Sequence, residues 1–100
     1  MEIMKNIEGS TAQLALVGRL DSITSTQLSK ELDNLFENGP ISIVFDFNAL
    51  EYISSAGLRI LLTAQKKINS MGTKLKITGA RPLVKEVFDV TGFSGIIEIE

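Results

Sequence analysis

Two neighbouring hydroxyls, Ser54 and Ser55, stand in the segment Tyr52-Ile53-Ser54-Ser55-Ala56-Gly57-Leu58-Arg59-Ile60-Leu61-Leu62. An apolar, strand-like stretch there gives way to an amphipathic helix. The first turn of a helix leaves backbone N–H groups without intrahelical acceptors and carries partial positive charge. It holds a phosphate well, so a serine placed there offers a reversible charge switch. Serine is also a favoured N-cap, a purely structural job. Spacing alone leaves both roles open for both serines. Arg59 follows Ser55 by four residues, about one helical turn. Its guanidinium is positioned for a phosphate on Ser55, for a carboxylate of a partner, or for solvent alone.

The elements that position this segment are legible in the hydrophobic pattern. Residues 2–7 and 11–18 read as two short strands joined by Glu8-Gly9-Ser10. Gly18-Arg19-Leu20-Asp21-Ser22 reads as a loop. A helix capped by Thr24 or Ser25 runs to about Glu37, with Leu28, Leu32, Leu35 and Phe36 on its buried stripe. Asn38-Gly39-Pro40 ends it. Ile41 to Phe47 is the strongest strand, with Ile41, Ile43, Phe45 and Phe47 on one side. Asn48 to Glu51 reads as a connection.

The helix that follows spans about 55–71, with Leu58, Leu61, Leu62 and Ile68 at helical spacing and Ile60 and Ala64 widening the stripe. Arg59, Thr63, Lys66, Lys67 and Asn69 face water, and Gly72 suits a left-handed cap. Residues 75–78 form a short strand, and Pro82 opens a helix over about 82–91. An Ile96–Ile99 stretch closes the chain. Strand–helix alternation after a hairpin predicts an α/β fold, a single domain over residues 1–100. Its mixed sheet of four to five strands packs against three to four helices.

Composition excludes most enzyme chemistries. The chain of 100 residues holds no Cys and no His, which removes the thiol nucleophile, the usual general base and the commonest metal ligands. A Ser-His-Asp hydrolase is therefore excluded despite Ser55-Ala56-Gly57. No Gly-rich nucleotide loop is present, and no cofactor is expected. Carboxylates with a hard cation are the remaining enzymatic option, and the acidic residues are scattered. A net charge of −2 without a basic run argues against nucleic acid or an anionic membrane as the main partner. The apolar runs fall far short of the roughly 20 residues that span a bilayer. The amino-terminal residues carry no apolar signal core, so a cytoplasmic protein is expected.

Three blocks carry a resemblance to a known family: Gly18-Arg19-Leu20-Asp21, Val44-Phe45-Asp46-Phe47, and Tyr52 to Leu62. Val90-Thr91-Gly92-Phe93 is similar to the family's carboxy-terminal turn. In order and spacing the chain resembles the STAS domain, the family of bacterial anti-sigma factor antagonists. The resemblance implies a regulatory binding protein and not an enzyme. In that family a partner anti-sigma factor, itself a serine kinase, phosphorylates a serine at the start of the helix after the central strand. The unphosphorylated antagonist binds the kinase and frees a sigma factor, the phosphorylated form lets go, and a phosphatase resets the cycle.

Aligning the family's Asp-Ser-Ser-Gly signature with Ser54-Ser55-Ala56-Gly57 puts the phosphoacceptor at Ser55, with Ser54 the alternative. Ser54 stands where the family usually has Asp, and Ala56 where it often has a second Ser. The resemblance also implies a docking surface made of Asp21, Ser22, Thr24, Ser54, Ser55, Ala56, Gly57, Leu58 and Arg59. A non-phosphorylated scaffold subunit of a sensory or transport assembly is the alternative function. The state expected is a monomer or a weak homodimer.

Asp21 has a second reading as a residue that assists capping of the first helix. Asp46 is expected to organise the loop around the serine segment through a hydrogen bond. Tyr52 and Ile53 are expected to pack and fix the turn, with Phe93 covering the carboxy-terminal end.

Overall fold

A computed structural model describes residues 1–100. The Gly9 turn folds β1 (Glu2–Glu8) back on β2 (Thr11–Leu20) as an antiparallel pair, with Ile7 opposite Ala12 and Ile3 opposite Leu16. From there the chain advances through helices. α1 (Thr24–Glu37) leads to β3 (Ser42–Asp46), and a short turn leads to β4 (Leu50–Ile53). α2 (Ser55–Met71) leads to β5 (Leu75–Thr78), and α3 (Pro82–Thr91) with a 3-10 turn at Phe93–Gly95 leads to β6 (Glu98–Ile99). The sheet order is β1-β2-β3-β5-β6, with β4 beside β2, and every pairing after the first is parallel. Right-handed crossovers that all advance in one direction put the helices on one face of the sheet.

Burial follows from that layering. Leu14, Leu16, Phe45, Phe47 and Ile77 of the sheet region, Leu28 and Leu61 of the helices, and Phe88 of α3 are fully buried. Each contributes about 1.5–3 kcal/mol in burial relative to exposure. The alternate strand residues Gln13, Ser42, Asp46 and Lys76 are polar, as a face without helices requires. Phe47, Phe88 and Phe93 form a stacked row, with ring centroids 6.2 Å and 6.5 Å apart. That row packs Phe93 against Phe88 of α3.

The bounds of α2, β5 and α3 match the expected ones, and Gly72 closes α2 at φ +71°. Two stretches differ. Residues 48–51 were expected as a connection, yet Leu50–Ile53 forms β4. Glu51 and Tyr52 are both exposed while Leu50 and Ile53 are buried, so the strand lacks a simple alternation. The cause is a bulge: Gly18 pairs with Leu50 but Arg19 pairs with Tyr52.

Gly18 to Leu20, expected as a loop, therefore belongs to β2. Gly18 sits at φ +108°, a conformation open to glycine, at the point where β2 exchanges β3 for β4 as its neighbour. Its N–H donates to Ala49 O at 3.0 Å. Asp46 organises the turn between β3 and β4 as expected, accepting from Asn48 N at 2.9 Å and Asn48 Nδ2 at 2.7 Å.

Candidate functional site

β4 delivers the chain to α2 directly beside the end of β2. Ser54 N donates to Leu20 O at 2.8 Å, which fixes the entry to the helix. Ser54 itself is extended, at φ −94° and ψ 172°, and is the N-cap. Its Oγ accepts from Gly57 N at 3.2 Å, and its carbonyl accepts from Leu58 N at 3.0 Å. Ser55 is the first helical residue, exposed to solvent, and takes no part in the cap. The two serines that spacing left open are thus separated by geometry: one hydroxyl is committed to the backbone and the other is free.

Gly57 explains why the helix start lies so close to the sheet. A Cβ at this position would stand 2.8 Å from Leu20 Cγ and 3.1 Å from Ile53 Cγ1, inside ordinary contact. Leu20 and Ile53 are themselves buried, so glycine permits the close approach of α2. Leu58 was expected on the docking surface, but its side chain is buried in the core cluster. Ala56 is half-buried and Arg59 is exposed. The two ion pairs of the structure, Lys5–Glu31 and Lys76–Glu100, leave Arg59 without a carboxylate.

The β2–α1 corner adjoins this helix start. Thr24 or Ser25 was expected to cap α1; instead Thr24 is the first helical residue and Ile23 occupies the cap position without a side-chain bond. Asp21 takes over the capping, with Oδ1 accepting from Thr24 N at 2.9 Å and Ile23 N at 3.0 Å. The preceding position suits a carboxylate, which reaches forward to orphan N–H groups that isoleucine cannot serve. Thr24 Oγ1 accepts from Asp21 N at 2.8 Å and donates to Arg19 O at 2.8 Å.

The Thr24 N–H, first among these contacts, holds the Asp21 carboxyl below its ordinary value of 3.8. The Thr24 hydroxyl, the Ile23 N–H and Arg19 add to this, while partial desolvation opposes it. Ser22 is exposed and its carbonyl accepts from Ser25 Oγ at 3.1 Å.

Two features of the corner are not legible in the sequence. The Arg19 guanidinium lies 4.2 Å from the centre of the Tyr52 ring, a cation–π contact that only the β2–β4 register creates. Tyr52, expected as a packing residue, is accordingly at the surface, whereas Ile53 packs inside. Ile23 is 79% exposed between polar Ser22 and Thr24. Its one sequence signal is an apolar residue out of phase with the buried stripe of α1.

A groove of about 430 Å³ lies elsewhere, between α1 and α2, lined by Leu32, Phe36, Ile60 and Ala64 together with Asp33, Glu37 and Lys67. No three acidic residues converge as a metal site requires, and no helix is long and apolar enough to cross a membrane.

Comparison with known proteins places this arrangement. The family model described as the STAS domain matches residues 2–100. BtrV of Bordetella bronchiseptica, named as a candidate anti-sigma factor antagonist, is 36% identical over 84 residues, covering 84% of this chain and 72% of that protein. A solved structure of a candidate anti-sigma factor antagonist from Thermotoga maritima superposes with a TM-score of 0.90 at 20% identity, covering 97% of this chain and 84% of that one. The anti-sigma factor antagonist SpoIIAA in its unphosphorylated form superposes at 0.80 with 16% identity, covering 99% and 87%. These two structures share the fold. The chain belongs to the STAS domain family and groups with its anti-sigma factor antagonists.

Proposed function

We propose that this protein is a cytoplasmic antagonist of an anti-sigma factor that is also a serine kinase, and that phosphorylation of Ser55 switches it off. The observation that carries the reading is the exposed, uncommitted hydroxyl of Ser55 at the first position of a 17-residue helix, next to a Ser54 whose hydroxyl is held in the cap. The family membership supplies the partner class, since the relative BtrV carries the anti-sigma factor antagonist name. Asp21, Ser22 and Thr24 belong to the same docking surface as Ser54, Ser55, Ala56 and Arg59. Gly57 serves it by letting the helix start settle against Leu20, and Leu58 by anchoring that start in the core.

In the switch, Ser55 Oγ attacks the γ-phosphorus of ATP bound to the kinase. An oxygen–phosphorus bond forms at Ser55, the bond to the ADP oxygen breaks, and the hydroxyl proton passes to a base of the kinase. The phosphate adds about −1.5 to −2 charges. At a helix amino terminus that charge is favourable by about 0.3–1 kcal/mol per charge, so α2 stays folded. The output is therefore loss of partner binding: the dianion occupies the interface where the hydroxyl docked, and a phosphatase restores the binding form. Transcription through the released sigma factor follows the unphosphorylated state.

The test is a binding titration of the unmodified protein, Ser55→Ala and Ser55→Glu against the serine-kinase anti-sigma factors encoded by the source genome. Without ATP, the first two bind one of them and Ser55→Glu binds at least tenfold more weakly. With ATP, only Ser55→Ala stays bound. Equal binding by all three, with or without ATP, would instead favour a non-phosphorylated scaffold subunit.

A further inference from the structure

We infer that Arg59 is the counter-ion, within this same chain, of a phosphate on Ser55. The inference rests on Ser55 as the phosphorylated residue and adds what the chain itself does with the charge. Residues four apart on a helix have Cβ atoms about 5–6 Å apart, and the long arginine side chain closes that gap to a phosphoryl oxygen. A guanidinium presents paired N–H donors that match phosphate oxygens.

Three observations select Arg59 for this contact. It is exposed on α2 and absent from both ion pairs of the structure, so no carboxylate competes for it. The first turn of α2 carries no acidic residue, and its N-cap is the uncharged Ser54. On the adjoining strands and corner, Arg19 lies on the Tyr52 ring and Asp21 is turned onto the Ile23 and Thr24 N–H groups, while Glu51 is exposed on β4 and belongs to neither ion pair. The phosphorylated segment is thus partly neutralised by its own helix, which sets the protonation of the phosphate and leaves bulk and residual charge to exclude the partner.

The test needs no kinase. Phosphoserine is incorporated at position 55 during translation, and the ³¹P shift is titrated from pH 4 to 8 in the native sequence, Arg59→Gln and Arg59→Lys. The second ionisation of the phosphate in the native sequence falls about 0.2–0.4 pH units below that in Arg59→Gln, with Arg59→Lys between them. The gap closes in about 1 M salt, where the Debye length is about 3 Å. In the native sequence, the Arg59 Nε–H resonance also moves on phosphorylation, a readout that no variant is needed to obtain. Identical midpoints together with an unmoved Arg59 resonance would overturn the inference. Because the phosphate is encoded, a protein that no kinase modifies still gives a definite answer here. The function proposed above then fails separately.

Discussion

Replacing Gly57 by alanine isolates the contact that seats the start of α2. The added Cβ would meet Leu20 Cγ at 2.8 Å, Leu20 Cδ2 at 3.0 Å and Ile53 Cγ1 at 3.1 Å. Ordinary contact begins at 3.4 Å, so α2 or Leu20 must yield by about 0.6 Å in a close-packed interior. Overpacking of this kind costs about 1–3 kcal/mol. Alanine recovers part of that, since glycine in a helix is disfavoured by about 1 kcal/mol. The net loss expected is about 1 kcal/mol, which lowers Tm by about 4–8 °C in a domain of this size.

The decisive control is the same substitution in a Leu20→Ala background, where the clashing branch is gone. There Gly57→Ala is expected to be neutral or stabilising, giving a coupling of about 1 kcal/mol or more in a double-mutant cycle. Thermal melts followed by circular dichroism read both. A Gly57→Ala protein that melts at or above the native temperature, or a loss unchanged in the Leu20→Ala background, would refute the close-approach argument.

Four further substitutions probe the same construction. Ser54→Ala removes the Oγ acceptor of Gly57 N–H and is expected to cost about 1 kcal/mol, whereas Ser55→Ala is expected to stay within about 0.5 kcal/mol of native; chemical denaturation compares them. The Asp21 carboxyl ionises below 3.8 in the folded protein, so its contribution is present above that pH and is lost as pH falls through the folded value. Asp21→Asn is therefore expected to lose less stability than the native protein when melts at pH 7 are compared with melts below pH 3.8. Phe88→Ala opens a cavity between the Phe47 and Phe93 rings and is expected to cost about 3–5 kcal/mol by denaturant titration.

The helices and the central strands were legible because their signals are local. Leu58, Leu61 and Ile68 recur at helical spacing, Gly72 and Pro82 punctuate, and Ile43, Phe45 and Phe47 alternate. β4 was not legible, because its existence depends on a neighbour vacated thirty residues earlier in the chain, and the bulge at Gly18 and Arg19 scrambles its alternation. The cap of α1 was misplaced by a similar ambiguity. Asp21, Ser22, Thr24 and Ser25 are all cap-forming types, and only the backbone path decides which one reaches the orphan N–H groups.

At the site, the position of Ser55 on a helix start was readable and the family signature favoured it over Ser54, but spacing alone did not separate the two hydroxyls. One residue of register converts a structural hydroxyl into a free one. The Arg19–Tyr52 contact was out of reach for the same reason as β4, being a product of strand pairing.

Phosphate mapping tests the central claim most directly. The protein is incubated with ATP and each serine-kinase anti-sigma factor encoded by the source genome, weighed intact, and then fragmented. The account expects the mass of one phosphoryl group, located on Ser55, retained in Ser54→Ala and absent from Ser55→Ala. A kinase that binds the protein tightly yet leaves its mass unchanged, or a phosphate located on Ser54, would contradict it.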